Sequence, residues 1–120
     1  MAGSLTSTSS DDLVARYREA ASAHGRATES GDSASANEQA DVVAEIHAEL
    51  RRRDDRSILL PLLEDADPGV RGWAGAHLLE TDPDRAARAL DELSSVPGNL
   101  VAFSAKMTLE QWLKGELTFP

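Results

Sequence analysis

Three histidines, His24, His47 and His77, are the residues best suited to chemistry in this chain. A neutral imidazole can bind a metal or move a proton near neutral pH. Each lies on or near the apolar stripe of a different expected helix. Two readings follow: convergence on a metal, or hydrogen-bonded histidines in the core or at its boundary. Spacing favours the second, because no two histidines share a ligand spacing within one helix and no Glu-x-x-His occurs. Other chemistries have less support. Without cysteine there is no thiol nucleophile, disulfide framework or zinc ribbon. No Gly-x-Ser-x-Gly elbow is present, and Ser104 lies between Phe103 and Ala105 with nothing to activate it. The glycines are dispersed, so no loop cradles phosphate. The expectation is a chain without catalysis, metal or cofactor, with a small histidine-centred enzyme as a lower-placed alternative.

The elements that must position these residues are helical. Among 120 residues there are 19 Ala and 15 Leu but 6 Val and 2 Ile, which disfavours a sheet. A first helix is predicted from about Asp11 to Ser30, capped by Ser9 or Ser10, with Leu13, Tyr17, Ala20, His24 and Ala27 as its stripe. A second runs from about Ser35 to Arg53, with Ser35 and Glu38 at capping-box spacing and Arg51 to Arg53 suiting the helix dipole. Asp55 caps a third that carries Pro61 and is therefore distorted or partly 3₁₀. Asp67-Pro68 and Asp82-Pro83 each start a further helix. A sixth begins after Asn99 and ends near Lys114 and Gly115. Residues 1–9 are read as a disordered tail, 10–116 as one helical domain and 117–120 as a C-terminal tail. No apolar run is long enough to span a membrane, no secretion signal is visible, and the expected location is cytoplasmic.

An internal repeat runs through the second half. Leu60 to Leu63 matches Leu90 to Leu93, and Val70, Ala74 and Leu78 match Val101, Ala105 and Leu109. A period near thirty residues with two helices per unit is the pattern of an α-solenoid. The segment from Leu62 to Leu79 resembles a HEAT-type repeat through Asp67, Val70, Arg71, Ala74 and Leu78. The chain from Asp12 to Gly115 resembles the small bacterial family DUF2019. The residues that carry this are Leu13-Val14 with Tyr17, Ala36-Asn37, Glu49-Leu50-Arg51 with Arg53, and Ala105, Leu109 and Trp112. The resemblance implies an all-α fold of about six helices in antiparallel HEAT-like pairs, and little chemistry. Some small HEAT-like bacterial proteins resemble immunity proteins, which bind and block a toxin encoded beside them.

Two surfaces are candidates for binding. The sixth helix is apolar on two sides: Val101, Ala105, Leu109 and Trp112 form one, while Phe103 and Met107 lie on the other with Glu110 and Lys114. The fourth helix shows the same doubling, with Gly72, Ala76 and Leu79 opposite Val70, Ala74 and Leu78. One neighbour cannot bury both sides. A protein partner, a second copy, the second helix or the tail Leu117 to Pro120 are the alternatives for covering the extra face. In an antiparallel stack, Asp54, Asp55, Glu80, Asp82 and Asp84 share one edge, and Glu64, Asp65 and Asp67 gather on the other. These acids either cap helices or form a docking surface for a basic partner. A net charge of −9 disfavours nucleic acid and anionic lipid. The expected function is a protein-binding module, most concretely an immunity protein. A homodimeric regulatory or scaffold adaptor is the alternative.

Overall fold

Five α-helices and a 3₁₀ helix follow one another with short connections in the structure, a computed structural model that describes residues 5–96 and 99–119. The α-helices are α1 (Ser10–Ser30), α2 (Ser33–Arg52), α3 (Pro68–Leu78), α4 (Pro83–Ser94) and α5 (Leu100–Leu113). The 3₁₀ helix, Arg56–Glu64, lies between α2 and α3 and contains Pro61, as the missing amide of proline led us to expect. The all-α expectation of six helices is met.

The helix starts show which local signals win. Ser9 accepts from the Asp12 amide at 3.1 Å, and Asp67, Asp82 and Asn99 accept from the amides of Val70, Arg85 and Ala102. The capping box expected at Ser35 is displaced. Gly31 adopts a left-handed conformation (φ 77°), and the chain turns so tightly that Asp32 caps α2 by accepting from the Ser35 amide. Asp55 sits at the start of the 3₁₀ helix but makes no side-chain capping bond. The basic end of α2 has a more specific task than serving the dipole. Arg52 and Arg53 each approach the Glu49 carboxylate at 2.6 Å. Hydrogen bonds from these two guanidinium groups hold Glu49 down at about 2.

Described residues of both expected tails contact the rest of the chain. Residues 1–4 lie outside the described residues, but Leu5 packs against the core and its carbonyl accepts from Arg53 Nη2 at 2.7 Å. At the other end Leu117 and Phe119 pack inward, and Pro120 lies outside the described residues.

The core joins Leu13, Tyr17 and Ala21 of α1 to Val43, Ile46 and Leu50 of α2, and both to Val70, Ala74 and Leu78 of α3 and Leu90 and Leu93 of α4. The repeat partners of the α3 residues, Val101 and Ala105, are also buried, with Leu109 partly so. The other repeated stretch differs, since Leu60 to Leu63 are 3₁₀ and Leu90 to Leu93 α-helical. Contacts are not confined to sequence neighbours as in a linear stack. Helix α1 crosses α3 and reaches α5: a Cβ on Gly25 would meet the Gly69 Cα at 3.1 Å, and Glu29 accepts from the Val101 amide at 2.8 Å. The chain therefore closes into one globule with a radius of gyration of 13.5 Å.

Candidate functional site

The histidine positions converge from separate helices. His47 on α2 and His77 on α3 stack face to face, with ring centroids 3.7 Å apart and planes inclined by 5°. Both side chains are buried. The Tyr17 hydroxyl lies 2.7 Å from His77 Nδ1. For neutral groups the phenol donates and the ring proton resides on Nε2. Phe119 from the C-terminal segment meets the edges of both imidazoles, at 4.9 Å from His77 and 5.6 Å from His47. Trp73 lies one turn before His77 and 5.5 Å from it, and its other side meets His24 at 5.1 Å. Six rings from α1, α2, α3 and the C-terminal segment thus form one continuous array.

Burial governs its electrostatics. It pushes His77 well below its usual value and His47 to about 4, assisted in each case by nearby Arg51 and Arg56. His24, half-buried, moves the same way. Burial also raises Tyr17, so its proton is retained. The stacked pair is therefore neutral at pH 7, the form in which two imidazoles can stack without repulsion. The buried Nε2 of His47 has no hydrogen-bond partner among the described residues. Among the described residues no group of three or more His, Asp or Glu gathers at metal-binding range. The histidines come together, but as an aromatic pair with a phenol.

A cavity of about 320 Å³ adjoins this array. Trp73, Leu117 and Phe119 wall it, and Gly72, Ala76 and Ala105 leave the space. His24, Thr28, Ser104 and Thr108 supply its polar lining. Among the described residues no Asp, Glu, Lys or Arg takes part.

The residues expected to bind a partner divide into three groups. On α5, Phe103 is 61% exposed and Met107 40%, joined by Leu100 at 51%. Lys114 is exposed and Glu110 half-buried nearby on the same face. The C-terminal segment does not cover this face, because Phe119 is committed to the histidines. Gly72 and Ala76 were expected to extend that surface and do not. Ala76 is buried, and a Cβ on Gly72 would lie 3.5 Å from Leu93, so both belong to the cavity. The acidic residues form the third group. A bond of 3.1 Å between Arg56 and Glu80 draws the turn carrying Asp54 and Asp55 toward the turn before Asp82 and Asp84. This edge is interleaved with arginines rather than purely acidic. On the other edge Arg18 binds Asp65 at 2.6 and 3.1 Å, and Ser22 donates to Asp67 at 2.6 Å.

Tyr17, Trp73 and Phe119 were missed as site residues. Trp73 had a signal, its spacing of four residues from His77 on one helix. Phe119 entered only as part of the tail Leu117 to Pro120, one of the candidates to cover the extra apolar faces, and nothing local directs it onto the two histidines.

The family of this chain follows from comparison. The profile of the Domain of unknown function DUF2019 matches residues 11–112. The chain belongs to the DUF2019 family. The matched range holds Tyr17, His47, Trp73 and His77 and ends before Leu117 and Phe119. The chain is also similar to a solved structure, the protein RPA1889 from Rhodopseudomonas palustris CGA009. The two are 28% identical, with a TM-score of 0.87 over 97% of this chain and 98% of that one. A search of curated proteins gives no match. The DUF2019 description itself names no activity.

Proposed function

We propose that the protein acts by binding another protein, with the outward face of α5 as its contact surface. The observation that carries this is the apolar stripe of Leu100, Phe103 and Met107, exposed on a helix whose opposite side is in the core. An exposed aromatic beside a flexible methionine suits a contact centre. The partner we favour is basic, because 21 acidic residues against 12 basic ones give a net charge of −9. The finer reading is immunity: the chain occludes a toxin's working surface, in keeping with the HEAT-like resemblance of Leu62 to Leu79. The test compares the tagged protein with Phe103→Asp in host lysate at low and high salt. The expected result is one stoichiometric basic protein retained best at low salt and lost with Phe103→Asp. A partner retained equally by both would remove α5 from the reading. A concentration-dependent dimer abolished by Phe103→Asp would assign the stripe to a second copy.

A further inference from the structure

We propose that the cavity between α1, α3, α5 and the C-terminal segment binds a small uncharged aromatic molecule carrying a hydrogen-bonding group. This goes beyond the protein-binding reading and does not rest on it, since Phe103 and Met107 do not line the cavity.

Size sets the first limit. A cavity of roughly 150 Å³ accepts one benzene ring. About 320 Å³ therefore suits two fused rings or a substituted single ring, and is too small for a folded partner's side-chain cluster. Shape and chemistry set the next limits. Trp73 and Phe119 offer aromatic surface, and Gly72 and Ala105 keep the space open between α3 and α5. Aromatic rings attract one another in offset or edge-on arrangements, beyond their area of contact. Among the described residues the lining holds no charged side chain, so a carboxylate or ammonium would enter unpaired at high cost.

Polar groups set the orientation. Thr28 of α1 and Ser104 and Thr108 of α5 reach the cavity with His24. Among the described residues none of these four side chains has a hydrogen-bond partner in the chain. Burial keeps His24 neutral at pH 7, so its ring supplies one donor and one acceptor. An apolar pocket with a few polar groups on its wall is the usual form of a small-ligand site. Ser104 is exposed and marks an opening to solvent. Leu117 and Phe119 close part of the rim from a segment without regular secondary structure.

The experiment is an NMR titration of the full chain with indole, 2-naphthol and 2-naphthoate, read at the Trp73 indole N–H and the Ser104 and Thr108 amides. Indole and 2-naphthol should give saturable shifts there, and 2-naphthoate should bind at least tenfold more weakly. Thr108→Phe and, at the cavity mouth, Ser104→Phe should each weaken 2-naphthol at least tenfold in protein whose circular dichroism is unchanged. Phe103→Asp should leave the titration unaltered, which separates this site from the protein-binding face. If neither neutral probe gives saturable shifts, or both filling variants bind as the parent does, the site is refuted. Tighter binding of 2-naphthoate would refute the ligand class.

Discussion

Tyr17 is the residue on which the histidine array depends most. Its hydroxyl is the partner of His77 Nδ1, in a place without access to water. Tyr17→Phe keeps the ring and removes the donor, leaving a buried nitrogen unsatisfied. The expected loss of stability is about 1–3 kcal/mol, measured by urea unfolding. An unchanged midpoint would mean that the bond contributes nothing net. Gly69 gives a second, steric prediction. A Cβ at Gly69 would lie 2.7 Å from the Ala21 carbonyl oxygen, and backbone cannot yield as a side-chain tip does. Gly69→Ala should force α1 and α3 apart and cost about 1–3 kcal/mol. A thermal melt showing equal or greater stability would contradict the close crossing. Neither effect was visible in the sequence. Tyr17 was placed correctly on the apolar stripe of the first helix, but its partner is 60 residues away.

Helices in this chain start by local rules and are joined by distant ones. Asp67-Pro68 and Asp82-Pro83 were legible because a cap and its first turn lie within four residues. The start of α5 has an additional acceptor that no local reading finds. Asn99 satisfies the Ala102 amide, while Glu29 at the end of α1 accepts from the Val101 amide at 2.8 Å. This carboxylate also faces the positive end of the α5 dipole. Glu29→Ala should therefore destabilise the protein by about 1 kcal/mol and speed amide exchange at the α5 start selectively. Uniform exchange across all helices would show that Glu29 is not a specific clamp. The shift of the α2 start from Ser35 to Asp32 has the same lesson on a smaller scale. Two good caps competed, and the left-handed turn at Gly31 favoured the earlier one.

The whole molecule should be acid-sensitive in a defined window. His47 titrates near 6.5 when unfolded and at about 4 when folded, because burial and Arg51 disfavour its charged form. Below pH 6.5 the unfolded chain binds a proton that the folded chain refuses. Stability is therefore full well above 6.5 and falls as pH drops toward 4. His77 adds to the loss in the same direction. Glu49, held at about 2 by Arg52 and Arg53, adds a loss below 4.5. Thermal midpoints measured from pH 7.5 to 3.5 should show the decline beginning near 6.5. His47→Phe should flatten its upper part and leave the lower part in place. A constant midpoint between pH 7 and 5 would contradict the buried neutral pair. At this scale Phe103 has no structural duty, so Phe103→Asp should leave the midpoint within the small change of a surface substitution.

The sequence by itself determined what is local. Helix-forming composition, caps at fixed offsets and 3.6-residue stripes specified the all-α class, most helix ends and the buried faces through Leu13, Val70 and Leu90. It also exposed the surplus apolar face of α5, since Phe103 and Met107 lie opposite Val101 and Ala105 on any helical wheel. Only the tertiary structure decided which stripes meet. His47 stacks on His77, Phe119 closes over both, and Gly72 faces a cavity rather than a surface. The physical reason is that periodicity fixes a side chain's angle about its own helix, whereas crossing angles and loop lengths fix the neighbour it finds there.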